Sequence, residues 1–392
     1  MYILIILIGI FVGLEIPILT RIIENNESNV RKNLANIFTF DYIGGLIGSI
    51  VFPILLFPKL GFVTTAFLVG LINIITAVII VFKYKQFIEK IKTIKIISII
   101  ILIIMLTFLC TGNIITNKIE EGLYRDDVVL SKQTPYQKIV MTKHKDDLRL
   151  FLDGNLQFSS NDEYRYHEAL VHIPMMYAKK HDRVLVLGGG DGLAVRELLK
   201  YNDIKEIVLV DIDKDMTDLC ATDKQISKLN GNSLTNEKVK VINEDGYIYV
   251  RENQAKFDVI IIDFPDPNNE SLNKLYTNVF YNYIKANLTE DGVMVCQSTS
   301  PYYAKKSFWC INKTIKSQFK NVIPYHLQVP SFGEWGFNVA FNMENERKEL
   351  QVETKYLNSE NINSMFNFGK DEIIDINSIE ENNMFKPTLI TY

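Results

Sequence analysis

The stretch VLVLGGGDGLAVREL, residues 184–198, decides the fold of the C-terminal part of the chain. It passes from an apolar strand pattern through a glycine turn into a helix pattern, as in nucleotide-binding α/β domains. Asp191 lies inside that turn. A carboxylate there would repel a pyrophosphate held by backbone N–H groups at the start of a helix. The turn therefore favours a ligand that an anion can attract.

Strand and helix patterns alternate around this stretch. The successive runs are RVLVLG, AVRELLKY, EIVLVDID, KVKVINEDG, FDVIIIDF, NVFYNYIKANL and GVMVCQS. Such alternation implies βαβ crossovers. We therefore predict a doubly wound, mostly parallel sheet over residues 161–392.

Residues 113–160 have a different pattern, with short alternating runs such as KIVMTK and LRLFLDGNLQF. Asp153 and Gly154 are a hairpin turn signal between two of these runs. The pattern predicts a small antiparallel β domain. Ser160 and Glu163 have the spacing of a capping box, which predicts the start of a helix.

Residues 1–112 are strongly apolar. They contain four apolar stretches, 1–19, 41–57, 61–82 and 96–111. The only charged residues in these stretches are Glu15 and Asp41. Each stretch is near the length needed to cross a bilayer. We therefore expect a membrane region of about four helices. A cleavable signal peptide is the alternative for the first stretch, but a basic N-terminal region and an A-x-A-like site are missing.

Charge and cysteine content narrow the function classes. The net charge of −4 and the lack of a basic face argue against nucleic acid as a partner. The four cysteines show no C-x-x-C pair, and they are Cys110, Cys220, Cys296 and Cys310. We expect free thiols, with neither a disulfide framework nor a zinc site.

Acidic residues follow the predicted strands, where a doubly wound sheet binds its ligand. In chain order they are Asp191, Asp211, Asp245 (followed by Gly246), Asp263 and Asp266. Asp211 lies 21 residues after Gly190, at the spacing of an acid that accepts hydrogen bonds from a ribose. Each acid alone could be a helix N-cap, but five at successive strand ends are hard to explain in this way.

Like charges in a partly desolvated site raise one another's pKa, so such a pocket is costly unless cations fill it. The residues therefore predict a nucleoside that carries positive charge where a dinucleotide carries phosphate. A sulfonium nucleoside with an amine tail fits.

The motifs YQKI, LDGNLQFSSNDEYRYHEALVH, VLVLGGGDG, VDID, EDG, DFPDP and PSFGEWGF occur in this order. Together they resemble the spermidine synthase (polyamine aminopropyltransferase) family over about residues 120–392. GLEIPILTRI and FDYIGGLIGSIVFP are similar to the membrane region of its membrane-attached branch. The resemblance implies a Rossmann-like, class I methyltransferase-like domain. The chain starts within what resembles the middle of that membrane region, which implies further spans upstream.

The resemblance implies transfer of an aminopropyl group from decarboxylated S-adenosylmethionine to an amine, most simply from putrescine to spermidine, with release of methylthioadenosine. It implies no metal and no further cofactor. The expected partners are a small amine (putrescine or spermidine), a lipid bilayer and further copies of the chain in a homo-oligomer.

Site roles carry over from the family by matched position. Asp263 is the implied general base, with Tyr166 and Asp266 orienting the amine. The residues implied to hold the nucleoside are Gln137, His167 and Asp191 on its aminopropyl side, Asp211 on the ribose, Asp245 with Gly246 on the adenine, and the glycine turn Gly188, Gly189, Gly190 and Gly192. A primary amine with a pKa of roughly 10 must lose a proton before it attacks carbon, which is the task of a base.

The chain departs from the family at two places. Asp211 stands where the family commonly has Glu, and NNESLNKLY replaces a glycine-proline step after the D-x-x-D-P motif. The second departure leaves the acceptor amine open.

Two other functions remain open. A methyltransferase that uses intact S-adenosylmethionine shares the glycine turn, but the carboxylate of that substrate would face Asp191 and the DFPDP acids. A membrane transporter or polyamine sensor would bind without chemistry. Among single residues, we expect His172 in the core, while Phe332 and Trp335 could equally pack the sheet edge or line the amine pocket.

Two arguments about the membrane face disagree. The loop KYKQFIEKIKTIK carries five lysines, which places it in the cytoplasm and, across four spans, the catalytic domain outside. The nucleoside substrate, however, is made and kept in the cytoplasm. Stretch 96–111 only just crosses a core of about 30 Å and could instead be re-entrant or interfacial. We therefore expect a multi-pass protein of the cell membrane with a cytoplasmic catalytic domain.

Overall fold

The computed structural model of the chain describes residues 2–24, 30–83, 85 and 91–392. The chain divides into two units, Met1–Gly122 and Leu123–Tyr392.

The first unit is helical. Its helices are α1 (Tyr2–Glu24), α2 (Val30–Val51), a π-helix (Phe52–Leu56), α3 (Phe57–Lys83) and α4 (Ile91–Leu123). The backbone turns at Gly61, with φ 70° and ψ 177°, inside the short connection that the sequence places between two apolar stretches. Among the described residues, three segments have the length and composition to cross a membrane: Leu34–Leu56, Lys59–Lys83 and Ile91–Gly112. Part of the lysine loop, residues 84 and 86–90, lies outside the described residues.

A four-stranded antiparallel sheet begins the second unit. Its strands lie in chain order: β1 (Asp127–Gln133), β2 (Lys138–His144), β3 (Asp147–Leu152) and β4 (Asn155–Ser159). Asp153 and Gly154 form the β3–β4 turn with φ of 49° and 82°. Positive φ at both central residues is the conformation of a type I′ turn, which suits a two-residue hairpin. The predicted small sheet and its turn are confirmed.

The predicted capping box at Ser160 is wrong. Helix α5 (Glu163–Tyr177) starts after Asp162 without a side-chain cap. The Ser160 hydroxyl instead accepts from the Leu148 amide at 2.8 Å, and the Glu163 carboxylate is buried against other side chains. Both partners of the expected box are therefore engaged in tertiary contacts.

The second sheet has seven strands in the order β10-β11-β9-β8-β5-β6-β7. Their bounds are β5 (Arg183–Gly188), β6 (Glu206–Val210), β7 (Val239–Ile242), β8 (Phe257–Asp263), β9 (Leu288–Gln297), β10 (Asn321–Val329) and β11 (Gly333–Phe341). Strands β5 to β9 pair in parallel, and the β10–β11 hairpin adds to β9 in antiparallel. The predicted α/β architecture with a mostly parallel sheet is confirmed.

Helices cover both faces of this sheet. They are α5, α6 (Leu193–Leu198), α7 (Lys214–Thr222), α8 (Lys224–Leu229), α9 (Gly246–Glu252), α10 (Glu270–Asn273), α11 (Asn278–Asn287), α12 (Lys305–Lys316), α13 (Ser359–Ser364) and α14 (Thr388–Thr391). Successive residues of β5 pack in two separate hydrophobic cores. Val184 and Val186 lie in one core, and Leu185 and Leu187 lie in the other. The continuous apolar run is thus explained by burial on both faces.

The strand order determines where the site can form. Strands β8, β5, β6 and β7 are neighbours and parallel, so the residues after them meet at one edge of the sheet. The four cysteines are free thiols, of which Cys220, Cys296 and Cys310 are buried in this unit.

Candidate active site

The glycine turn after β5 lies between two predicted site acids. Gly188 has φ 79°, and a Cβ atom there would overlap the carbonyl oxygen of Asp263. A Cβ atom at Gly190 would lie 2.6 Å from Oδ2 of Asp211. Only glycines allow this backbone to pass so close to the ends of β8 and β6.

The rest of the turn supports the same geometry. A Cβ atom at Gly189 would lie 3.1 Å from Oδ2 of Asp263, and Gly192 (φ 78°) precedes α6. Asp191 is buried, and its Oδ1 accepts a hydrogen bond from the Leu193 amide at 2.8 Å. Burial raises the pKa of Asp191, and the charge of the His167 ring opposes that effect.

Asp211, which follows β6, is hydrogen-bonded to the glycine turn. Its Oδ2 accepts from the Gly190 amide at 3.1 Å and its Oδ1 from the Asp213 amide at 2.8 Å. Burial raises the pKa of Asp211 to about 6, although the hydrogen bond from Asp213 lowers it. The shorter acid therefore still reaches the turn where the family commonly has Glu.

Asp245 has a second partner that the sequence did not indicate. Its Oδ1 caps α9 by accepting from the Tyr247 amide at 2.8 Å, so the N-cap interpretation holds for this acid. Its Oδ2 pairs with Nζ of Lys274 at 2.5 Å. Gly246 is the first residue of α9, and the Phe264 ring lies where its Cβ would be.

Asp263, at the end of β8, is held by Tyr166 from α5. The Tyr166 hydroxyl donates to Oδ1 of Asp263 at 2.5 Å. Burial raises the pKa of Asp263 to about 6, and the charge of His167 and the Tyr166 hydrogen bond act against burial. Burial also raises the pKa of Tyr166 well above its usual value, so the phenol remains a donor.

Asp266 follows three residues later and is oriented by residues at and just after the end of β9. Its carboxylate accepts from Nε2 of Gln297 at 3.4 Å and from Oγ1 of Thr299 at 3.3 Å. Burial raises the pKa of Asp266 to about 6, while these two donors lower it. Asp263 and Asp266 are therefore two carboxylates that take up a proton unusually easily.

His167 lies one helix position after Tyr166. Its Nδ1 lies 2.9 Å from Oε2 of Glu163 and 2.8 Å from the Glu163 carbonyl oxygen. Burial disfavours the charged ring, but the hydrogen bond and charge of Glu163, with the charges of Asp191 and Asp263, raise the pKa of His167 to about 9.

Gln137 connects the small sheet to the large one. Its Nε2 donates to Oδ2 of Asp213 at 2.9 Å, and the Thr134 hydroxyl donates to the same oxygen at 2.8 Å. Asp213 is buried and also caps α7. Gln137 is thereby held two residues from Asp211.

The aromatic residues left open by the sequence pack beside these groups. The Phe332 ring lies 5.8 Å from the Tyr166 ring, and Trp335 stacks edge-on against Phe332 at 5.2 Å. Nε1 of Trp335 donates to Oε1 of Gln297 at 3.3 Å. His172, as predicted, is a fully buried core residue.

Four further residues of the site are not among the site residues predicted from the sequence: Gln297, Asp213, Glu163 and Lys274. Gln297 ends a strand in the run GVMVCQS, so the strand-end position that indicates the acids also indicates this amide. Asp213 lies in the quoted motif VDID. No local pattern pairs Glu163 with Arg196 or Lys274 with Asp245, because these partners are 33 and 29 residues apart.

In the part of the chain that the structure describes, one group of potential metal ligands lies away from this site, between the β10–β11 hairpin and the C-terminal segment: His326, Glu334 and Glu372. His326 Nδ1 pairs with Glu334 at 2.5 Å and its Nε2 lies 2.9 Å from the Asn367 carbonyl. Protein partners therefore account for this group without an ion.

Comparison with known proteins identifies relatives of this chain. The family described as "Spermine/spermidine synthase domain" matches residues 163–353. The polyamine aminopropyltransferase of Leptospira interrogans is 43% identical over 380 residues, which cover 95% of this chain and 74% of that protein. That of Oceanobacillus iheyensis is 39% identical over 394 residues, covering 100% of this chain and 77% of that protein.

The chain belongs to the polyamine aminopropyltransferase family. Solved spermidine synthases share its fold. The enzyme from Thermotoga maritima superposes with a TM-score of 0.56 at 27% identity, covering 62% of this chain and 85% of that one. A spermidine synthase in complex with the transition state analogue AdoDATO gives 0.56 at 28% identity, covering 62% and 86%. The prediction of an aminopropyl-transferring enzyme is confirmed.

Proposed function

We propose that the chain transfers the aminopropyl group of decarboxylated S-adenosylmethionine to putrescine, giving spermidine and methylthioadenosine. The main supporting observation is a pair of partly buried carboxylates, Asp263 at the end of β8 and Asp266 just after it, near the hydroxyl of Tyr166. A pocket of this charge favours a cationic nucleoside and a cationic amine over an anionic ligand.

The nucleoside would lie across the ends of β5, β6 and β7. Asp191 and His167 face its aminopropyl ammonium, while Gln137, which bonds to Asp213, lies toward the ribose acid Asp211. The Asp211 carboxylate binds the ribose, and Asp245 at the start of α9 binds the adenine. The glycine turn lets the nucleoside approach the backbone between Asp211 and Asp263. These roles are supported by the strand order, which brings the acids to one edge.

The amine would lie on the other side of Asp263. Asp263 accepts a proton from the attacking nitrogen, Tyr166 fixes the Asp263 carboxylate, and Asp266 binds an ammonium group. A nitrogen–carbon bond forms as the carbon–sulfur bond breaks, and the sulfonium leaves as the neutral thioether of methylthioadenosine. A carboxylate with a pKa of about 6 is ionised at neutral pH and still accepts a proton.

Product identification tests this function. The full chain in detergent is incubated with decarboxylated S-adenosylmethionine and, in separate reactions, putrescine, cadaverine or spermidine, and the products are identified by mass spectrometry. We expect spermidine and methylthioadenosine from the putrescine reaction. Intact S-adenosylmethionine is the control, since methylated amine from it would show a methyltransferase instead. Nucleoside binding without methylthioadenosine release would favour a sensor.

We further propose that the three apolar segments cross the cell membrane and that the catalytic unit faces the cytoplasm. The nucleoside substrate is made and kept in the cytoplasm, which supports the cytoplasmic face. The lysines of the loop KYKQFIEKIKTIK instead favour a catalytic unit on the outside. Helix α4 is continuous over Ile91–Leu123, so if it spans the membrane a cytoplasmic catalytic unit would put the lysine loop on the outer side. The test is a single cysteine at exposed Asn161 in a chain without native cysteines. Labelling by an impermeant maleimide in intact cells would place the unit outside.

A further inference from the structure

Of the two ring nitrogens of His167, only Nδ1 is hydrogen-bonded within the described residues. Its Nδ1 contacts the carboxylate and the carbonyl oxygen of Glu163, so this nitrogen carries a proton that it donates. Nε2 makes no hydrogen bond to the part of the chain that the structure describes. The other charges that act on the ring are Asp191, after β5, and Asp263, at the end of β8. Nε2 is therefore the nitrogen left for a ligand.

Glu163 is in turn fixed by Arg196 from α6. The guanidinium donates to both carboxylate oxygens, at 2.7 Å and 2.9 Å. A bidentate pair of this kind fixes orientation as well as charge. Glu163 is 3% exposed, so its carboxylate is shielded from solvent.

We propose that Glu163 is the positioning residue for the nucleoside ammonium: it keeps the His167 proton on Nδ1 and strengthens Nε2 as the acceptor for that ammonium. This inference rests on the proposed function. Carboxylates that bond the far nitrogen of a metal-binding histidine act in the same way, by fixing the tautomer and raising the basicity of the other nitrogen. Here a primary ammonium takes the place of the metal.

The proposal implies an exchange of positive charges. In the empty pocket the ring carries a proton on Nε2, because Glu163, Asp191 and Asp263 stabilise the imidazolium. An incoming ammonium, with a pKa of roughly 10, keeps its own proton. Nε2 must therefore lose its proton to accept a hydrogen bond, and binding releases that proton to solvent. Tyr166 and Arg196, which lie beside His167 and Glu163, stay protonated.

The chain contains a matched control. Glu197 pairs with Nε2 of His172 at 2.9 Å and also accepts from Arg196, so it copies the Glu163–His167 arrangement in the core. His172 donates or accepts toward the Tyr201 hydroxyl rather than toward the nucleoside site. Glu197→Gln therefore perturbs the same arginine without touching the proposed ammonium site.

The experiment is calorimetry of the full chain in detergent at about pH 8, in two buffers of different ionisation enthalpy. At this pH Asp263 and Asp266 are ionised, while His167 is protonated. The ligands are decarboxylated S-adenosylmethionine and methylthioadenosine, which lacks the ammonium. We expect the wild type to release about one proton with the first ligand and none with the second.

Compared at the neutral ring, Glu163→Gln should weaken binding of decarboxylated S-adenosylmethionine by about 10- to 100-fold, the range for groups that orient a binding histidine. Because about nine-tenths of the wild-type rings must first lose a proton at pH 8, the loss measured there should be about tenfold smaller. Methylthioadenosine should bind as before, and proton release should fall because the empty ring is already neutral. Glu197→Gln should change neither affinity.

Three results would overturn the proposal: equal weakening for both ligands, the same loss in Glu197→Gln, or no proton release by the wild type. The last measurement decides even if Glu163→Gln does not fold. If the wild type binds neither ligand, the proposed function itself is wrong.

Discussion

The Tyr166 hydroxyl and the Asp263 carboxylate are joined by a hydrogen bond of 2.5 Å, across 97 residues of sequence. The bond links α5, which follows the small sheet, to the end of β8 in the large sheet. It fixes Oδ1 of Asp263, while Oδ2 of the same carboxylate lies near Gly189. The proposed base is thus oriented before any substrate arrives.

Tyr166→Phe should move the acid limb of the pH–rate profile to higher pH. The hydrogen bond lowers the pKa of Asp263, so its loss raises that pKa and keeps the base protonated at higher pH. At neutral pH we expect kcat/KM to fall roughly 10-fold, as for loss of a bond to a charged group. Tyr177→Phe, on the same helix, is the control. An unshifted limb would contradict the role of Tyr166.

Asp263→Asn should lower kcat by about 10²- to 10⁴-fold, because an amide keeps the shape of the side chain but cannot accept the proton. Binding of the nucleoside, measured by calorimetry, should change little. Asp258→Asn, at the opposite end of β8, is the matched control. Retention of more than half of the wild-type rate by Asp263→Asn would exclude it as the base.

Lys274→Met should lower KM for the nucleoside. In the empty site Lys274 pairs with Oδ2 of Asp245, the carboxylate proposed to bind the adenine, so the lysine competes with the ligand. A partly exposed ion pair is worth about 0.2–1 kcal/mol, so the expected decrease is at most about fivefold. Lys274→Arg retains the charge and should resemble the wild type. A higher KM in Lys274→Met would mean that the lysine assists binding.

The empty catalytic unit should lose stability as pH rises from about 6.5 to 9. The folded-state pKa of His167 is raised from 6.5 to about 9, so its contribution is complete below pH 6.5 and disappears through pH 9. The contribution is on the order of 3 kcal/mol, or several degrees in Tm.

Tryptophan fluorescence during heating measures this loss, since Trp309 and Trp335 both lie in the second unit. His167→Gln should flatten the dependence, whereas His144→Gln, at an exposed position, should leave it unchanged. A wild-type Tm that is constant over this range would rule out a charged His167.

The sequence by itself determined the sheet, the glycine turn and the acids after each strand, because these depend on local periodicity and on the rule that parallel strands end at one edge. It also located the turn at Asp153 and Gly154, where positive φ is a local requirement. It failed at Ser160, whose hydroxyl is engaged by β3 instead of capping α5.

Only the tertiary structure decided which partner each acid has. Asp245 pairs with Lys274, Asp266 with Gln297, and Glu163 with Arg196. These contacts join residues about 30 positions apart, and side-chain spacing along one helix or strand contains no information about them. The electrostatic character of the site follows from these pairs and from burial, since both depend on neighbours that only the folded chain brings together.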